Sequence, residues 1–320
     1  MKGKSVVITG GSGFLGSNLA SRLVNMGANV TLIVSPNRDR QNITSIEDKV
    51  EIIPMRVCES SDFGSLIKGK DYFFHFAWQN DLKKSMENPI QDIKYDLGGL
   101  INLLENCRKQ KSGLKIIFPS TVTVTGDVKS IPSNGDERAN PPSIYDANKL
   151  AAENYLKVYS RNYGVNFSCL RLANVFGEGQ SIDNPNRGVV NFMIGRALRG
   201  EGINLYGDGE LVRDYSYVQN FVDAFILAAE SKKTNGEIYV LGSGEGRTFN
   251  QVASTISKAI TEVTGIGVKV NYMPFPEETN QINKRNFIAD SSRFRTSTGW
   301  QPRVGFEEGI RRTIDFYKHG

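Results

Sequence analysis

Histidine is nearly missing from this chain: His75 and His319 are the only two among 320 residues. That scarcity argues against a histidine-rich zinc site. His319 is penultimate, so a Ser-His-Asp triad would have to rest on His75. Cysteine is scarce too. Cys58, Cys107 and Cys169 are odd in number, far apart and without a CxxC spacing, which suits a reduced, cytoplasmic protein better than a disulfide scaffold or a metal clip. No apolar run approaches the roughly 20 residues that a bilayer requires, so no membrane span is expected. The charge balance, 39 basic against 34 acidic residues, leaves +5 spread along the chain. Without a concentrated basic patch, nucleic acid is not an expected partner. Internal repeats and low-complexity tracts are also lacking.

What the chain does have is alternation. Candidate strands are Ser5–Thr9, Asn29–Val34, Val50–Met55, Tyr72–Phe76, Lys115–Pro119 and Phe167–Leu172, with helical patterns such as Leu15–Met26, Gly98–Lys109 and Ser143–Tyr163 between them. Strands separated by helices predict βαβ units in a doubly wound parallel sheet. The basic start, Met1-Lys-Gly-Lys4, could open a short signal peptide, but the apolar stretch after it breaks at Gly10-Gly11, so we read a first strand. Beyond about residue 176 the loops grow rich in Gly, Asn and Pro, as in Gly177–Arg187. A helix at Asn220–Glu230 and a strand at Glu237–Leu241 are expected to return to the first sheet. The expected division is therefore 1–176 with about 215–243 as one domain, and about 177–214 with 244–320 as a smaller mixed α/β lobe. A cleft between them would be a natural ligand site.

The first strand runs into Thr9-Gly-Gly-Ser-Gly-Phe-Leu-Gly16 and then a helix. One glycine permits the tight turn, another lets a pyrophosphate approach the backbone, and a third lets helix pack on strand. In this strand-to-helix context GxGxxG reads as the dinucleotide fingerprint of a Rossmann domain. NAD enzymes place an acid about 20 residues further on, to bind the ribose 2′-hydroxyl. Here that position is Ser35, followed by Pro-Asn-Arg38-Asp-Arg40. A neutral hydroxyl near guanidiniums suits a 2′-phosphate, so NADP(H) is favoured with NAD(H) as the alternative.

Tyr145 and Lys149 stand four residues apart at the start of a helical pattern, hence on one face. An ammonium about 4 Å away favours a phenolate by at most about 4 kcal/mol at an effective dielectric near 20, which would bring a tyrosine toward neutral pH. The run Pro119-Ser-Thr-Val-Thr-Val-Thr-Gly126 places hydroxyls at a strand's carboxyl end, where open α/β sheets bind ligands.

With these motifs, and with Phe74-His-Phe-Ala77, Arg171-Leu-Ala-Asn-Val-Phe-Gly177, Tyr206-Gly-Asp-Gly209, Arg213-Asp-Tyr-Ser-Tyr-Val218 and Gly299-Trp-Gln-Pro302, nearly the whole chain resembles the extended short-chain dehydrogenase/reductases. Specifically, it resembles the nucleotide-sugar epimerase, dehydratase and reductase superfamily. The resemblance implies Thr121, Tyr145 and Lys149 as catalytic residues. It implies cofactor contacts from Gly10, Gly13, Phe14, Leu15, Gly16, Ser35, Arg38, Ala77, Ser120, Tyr145 and Lys149. Sugar-nucleotide contacts would come from Trp78, Thr121, Thr123, Asn174, Tyr206 and Arg213. Core packing remains the other reading of Tyr206, and an ion pair with Asp214 that of Arg213. A homodimer through helices such as Gly98–Lys109 and the Tyr145 helix is also implied.

Departures from the family pattern bear on the reaction. Where its dehydratases carry an Asp-Glu pair, this chain has Val122 and Thr123, which argues against 4,6-dehydration. Arg56 stands where an adenine-facing Asp is customary. The arginine usual before the last acidic strand is missing near Pro274–Pro276, the next being Arg285. The leading expectation is an NADP(H)-dependent reductase of a nucleotide-activated 4-keto-(6-deoxy)hexose, with Tyr145 as proton donor. The alternative is an NAD-dependent nucleotide-sugar 4-epimerase using the same residues, and a minor one is a non-catalytic dinucleotide sensor.

Overall fold

A computed structural model describes residues 1–276 and 284–318; His319 lies outside the described residues. Among the described residues twelve strands are formed: β1 (Ser5–Thr9), β2 (Asn29–Val34), β3 (Glu51–Pro54), β4 (Tyr72–His75), β5 (Lys115–Thr121), β6 (Asn166–Leu172), β7 (Asn174–Phe176), β8 (Ile203–Tyr206), β9 (Val212–Tyr217), β10 (Glu237–Leu241), β11 (Gly246–Thr248) and β12 (Val270–Met273). Seven of them make one parallel sheet in the order β3-β2-β1-β4-β5-β6-β10. β1 is short and β-branched, and it is buried on both faces, as a central parallel strand requires. Val6 and Ile8 join one core with Leu19, Leu23 and Phe225. Val7 joins the opposite one with Leu103, Leu104 and Phe118. The chain's direction of progress reverses between β1 and β4, and open α/β sheets hold their ligands at the carboxyl side of such a reversal.

Several boundaries differ from expectation for local reasons. β3 stops at Pro54 rather than Met55; it is the sheet's edge strand, where a residue lacking an N–H is tolerated. The stretch before the Gly98–Gln110 helix, for which no element was named, folds into short helices at Leu82–Glu87 and Pro89–Asp92 and a π-turn at Ile93–Leu97. Asp81 caps the first by accepting from the Lys83 and Lys84 amides, and Pro89 occupies the first turn of the second.

The Ile144–Tyr163 helix starts at Ser143, whose hydroxyl accepts the Asp146 amide at 3.2 Å, and ends at left-handed Gly164 (φ 70°). After β7 the chain builds a three-stranded sheet, β11-β9-β7, and a parallel pair, β12-β8. The Val218–Glu230 helix packs on the large sheet, and β10 pairs with β6 in parallel register. The glycine turn is bridged to the segment after β7: Asn42 donates to Ser12 O at 3.3 Å and Gly179 O at 3.1 Å, and Asn18 to Glu178 O at 2.9 Å. Among the described residues no helix is long and apolar enough to cross a membrane.

At the opposite rim of the sheet, Lys115 is buried and donates to Ser231 O at 2.8 Å and Thr234 Oγ1 at 2.9 Å. Burial lowers its ammonium to about 8. In the unfolded chain a lysine titrates near ~10.4, so the unfolded state holds more protons between those values, and folding stability rises with pH across that window. We expect the denaturant midpoint of the parent to gain on that of Lys115→Met between neutral pH and about pH 10. Parallel slopes for the two proteins would show that Lys115 makes no such contribution.

Candidate functional site

Beyond Thr9 the chain folds back through the glycine turn. Gly10 has a φ of 68°, and a Cβ there would lie 3.0 Å from the Ala77 nitrogen. A Cβ on Gly16 would lie 2.2 Å from the Gly10 carbonyl oxygen, and one on Gly13 3.1 Å from the same atom. The Phe14–Asn25 helix begins directly after Gly13, with Phe14 and Leu15 in its first turn, no capping side chain and no acid there. Its N–H groups and positive end therefore face the sheet's carboxyl edge uncovered, and the site fits the diphosphate of a dinucleotide.

Thr9 Oγ1 accepts the Ala77 amide at 3.0 Å and approaches His75 Nδ1 at 3.2 Å. Nε2 of the same ring is enclosed without a hydrogen-bond partner. Burial, then the charge of Lys149, pull His75 down to about 3. It is a neutral core residue stacked on Phe118, which removes it as the base of a triad.

At the end of β2, the Ser35 carbonyl accepts the Arg38 amide at 2.9 Å, and Arg38 stands exposed. Arg187, on a 3-10 turn (Pro185–Arg187) after β7, comes near it. Its Nε is enclosed without a hydrogen-bond partner. Burial, then the charge of Arg38, lower its guanidinium, while Asp81 opposes them. No spacing in the sequence pairs residues 38 and 187; only the fold does.

Lys149 Nζ donates to the Pro119 carbonyl at 2.7 Å and lies 4.1, 4.4 and 5.9 Å from the ring centres of Trp78, Phe118 and Tyr145. Tyr145 and Lys149 thus share a helix face at the carboxyl end of β5, where Thr121 also stands. Trp78, expected to contact the sugar nucleotide, covers the lysine with its indole. The expected acid phenol is also corrected. Burial, then Asp146 and Asp96, push Tyr145 above its ordinary value. Lys149 is itself lowered by burial, and Asp96 opposes that. Asp96 is buried, with both oxygens on the Gln79 amide at 3.1 Å, and burial raises it.

Ser120, expected beside a cofactor, gives its hydroxyl to Glu153 Oε1 at 2.6 Å. Glu153 also receives Arg171 Nε at 2.9 Å and Nη2 at 2.7 Å. The serine hydroxyl is therefore committed to the helix. Thr121 and Thr123 join through their hydroxyls at 2.7 Å, and Thr123 donates onward to Asp146. Asp96, Asp146 and Glu153 escaped the sequence reading. The last two lie within the Tyr145 helix, where an acid at a buried turn was a visible signal; Asp96 carried none.

On the far side of the cleft, Asn174 Nδ2 donates to Asp214 O at 3.0 Å. The Asp214 carboxylate takes the Ser243 amide and hydroxyl, the Gly244 amide and the Ala289 amide, which replaces the ion pair considered for Arg213. Arg213 donates to the Val212 carbonyl at 3.1 Å and is bridged through its backbone to Phe287. That bridge carries Arg285 in beside it. Arg285 is buried, donates to Gly126 O at 3.1 Å, and is lowered to about 10 by burial and then by the charge of Arg213. Tyr206 is 50% exposed and stacked on Phe275 at 6.3 Å, so core packing does not describe it. Among the described residues no cluster of three or more His, Cys, Asp or Glu side chains could hold a metal ion.

The chain is similar end to end to known enzymes. The crystal structure of UDP-glucose 4-epimerase with UDP-glucose from Thermotoga maritima is 32% identical, with a TM-score of 0.86 over 98% of this chain and 99% of that one. The UDP-glucose 4-epimerase of Thermus thermophilus in complex with NAD is 30% identical, with a TM-score of 0.85 over 98% and 99%. A UDP-N-acetyl-alpha-D-glucosaminuronate decarboxylase of Bacillus cytotoxicus is 30% identical over 325 residues, 98% of each chain. A family model described as NAD dependent epimerase/dehydratase family matches residues 6–242. With its glycine turn, its Thr121, Tyr145 and Lys149 and its parallel seven-stranded sheet, the chain belongs to the NAD dependent epimerase/dehydratase family, enzymes of the extended short-chain dehydrogenase type that act on nucleotide sugars.

Proposed function

We propose that this chain is a nucleotide-sugar 4-epimerase. The observation that carries the proposal is the convergence of Thr121, Tyr145 and Lys149 at the carboxyl ends of β4 and β5, with Val122 and Thr123 where dehydratases carry acids. The similarity to UDP-glucose 4-epimerases over nearly the full length supports it, and makes UDP-hexoses the first substrates to try. Residues 1–176 with about 215–243 would bind the dinucleotide, and the remainder the sugar nucleotide.

Gly10, Gly13 and Gly16 would hold the dinucleotide diphosphate against the Phe14–Asn25 helix, with Ala77 and Lys149 at the nicotinamide end. When bound, the cofactor supplies the hydride acceptor and donor for sugar C4. Arg213 and Arg285 would grip the substrate diphosphate and Tyr206 flank its base, so the sugar is anchored by its charged end alone. A 4-ketone held that way is free to turn over and be reduced on its other face. Tyr145 and Thr121 are the hydroxyls placed to hold O4 and to pass its proton. The exposed Tyr155, Val158 and Tyr163 on the Ile144–Tyr163 helix support a homodimer through that helix.

A second reading, a 4-ketoreductase using NADPH, is favoured by one observation: Ser35 with Arg38 and Arg187, where a 2′-phosphate would meet two guanidiniums and no carboxylate replaces Ser35. Incubation with UDP-glucose is expected to give its C4 epimer with no net change in nicotinamide absorbance. Steady NADPH consumption with a 4-keto sugar nucleotide, no interconversion of UDP-hexoses, and tighter binding of NADP than NAD would install the reductase instead.

Two variants separate the chemistry from the anchoring. Tyr145→Phe is expected to lower kcat by about 100-fold or more while leaving KM near the parent value. Arg285→Ala loses charge-assisted bonds of about 1.5–3 kcal/mol and is expected to raise KM about tenfold or more, with kcat much less affected. Steady-state kinetics of both would reject the assignment if the two patterns were exchanged.

A further inference from the structure

Tyr215 carries a hydroxyl that the protein leaves without a partner. Among the described residues three tyrosines are buried. Tyr217 donates to Glu178 Oε1, and Tyr239 donates to Ser297 Oγ at 3.1 Å. Tyr215 is 2% exposed, and its Oη is enclosed and bonds nothing. A phenol buried that way loses its bonds to water and makes none inside, so phenylalanine would fill the same space more favourably. The ring is accounted for: it packs with Phe249 and Phe306, whose centres lie 6.4 and 6.1 Å away. Only the oxygen is not. The pairing register places the residue. β7 and β9 run parallel with Asn174 beside Tyr215, and side chains alternate along a strand, so Asn174, Arg213 and Tyr215 share one face of the small sheet. Tyr215 and Arg213 lie within electrostatic reach of each other. A guanidinium donates and does not accept, and the two phenylalanines offer no acceptor either.

We propose that the Tyr215 hydroxyl is a ligand of the substrate, donating its proton to a phosphate oxygen of the nucleotide sugar held by Arg213. The inference deepens the reading of Arg213 as an anchor of the substrate diphosphate and rests on it. What the phenol lacks is an acceptor, and a phosphate oxygen beside Arg213 is one. A tyrosine titrates at about 10, so it remains a donor at neutral pH and needs no base beside it. A hydrogen bond to an ionised oxygen is roughly twice as strong as a neutral one. The hydroxyl therefore works against the empty protein and in favour of the loaded one. Removing it has consequences of opposite sign in the two states: the chain without substrate gains stability or keeps it, and the grip on the diphosphate weakens. A tyrosine kept only for packing, or one bonded within the chain, does not produce that pair of effects.

Tyr215→Phe keeps the ring and its packing and removes only the oxygen. With NAD present and no substrate, its thermal midpoint is expected to equal or exceed that of the parent. Its dissociation constant for UDP, read by titration calorimetry, is expected to rise about tenfold or more, and that for inorganic diphosphate in like proportion. With a nucleotide sugar that turns over, KM should rise by the same factor and kcat change much less. Tyr217→Phe is the control, because its hydroxyl is already bonded to Glu178: it should lower the midpoint and leave UDP affinity near the parent value. Equal UDP binding by Tyr215→Phe and the parent would overturn the proposal. So would a substrate-free midpoint that falls as in Tyr217→Phe, since the hydroxyl would then be bonded within the chain. A parent that binds UDP more tightly than Tyr215→Phe does, yet interconverts no nucleotide sugars, upholds this ligand and refutes the epimerase reading. A parent that binds neither UDP nor diphosphate overturns both.

Discussion

A lysine ammonium held on the carbonyl of a proline is the contact on which the rest of the site depends. The 2.7 Å bond from Lys149 to Pro119 pins the Ile144–Tyr163 helix to the last residues of β5. It sets Tyr145 one turn earlier on the same face, beside the strand end that carries Thr121. The cost of desolvating that ammonium is offset locally. Trp78 and Phe118 present ring faces to it, and Asp96 and Glu153 lie within electrostatic reach. One turn further along the helix, Glu153 ties Ser120 and Arg171 to the same place, so β5, β6 and the helix share one buried ionic knot. Breaking one partner of such a knot strands a charge in the interior.

Much of this was legible in the residues. Apolar runs bounded by glycine marked the strands of the parallel sheet, because a strand buried on both faces has little choice of composition. The glycine turn was legible because L side chains cannot follow its path: a Cβ on Gly16 has nowhere to go. The Tyr145–Lys149 spacing was legible because helical geometry alone puts the two on one face. What those groups do to each other was not. The sequence placed a cation beside Tyr145 but could not show how deeply the ring is enclosed, and burial, with Asp146 and Asp96, pushes the phenol up. Arg285 was equally hidden: its place beside Arg213 comes from a strand bridge across more than seventy residues of chain. Ser120 and Trp78 were read as cofactor and sugar contacts; in the structure the serine hydroxyl bonds Glu153 and the indole covers Lys149.

The smaller sheets matter through where they bring cations. Arg213 and Arg285 converge on one wall of the cleft, while Arg187 and Arg38 converge near the end of β2. Each pair is assembled by the fold from residues more than seventy positions apart in the sequence.

The last strand of the large sheet, β10, is also the last to be made. It pairs with β6 in full register, yet some sixty residues that build other structure are synthesised between them. Until residue 241 has emerged from the ribosome, β6 is a raw edge whose backbone amides and carbonyls can zip onto a strand of any other nascent chain. Folding of this protein thus contains a vulnerable interval written into its topology, during which shielding of that edge decides between a finished sheet and an aggregate.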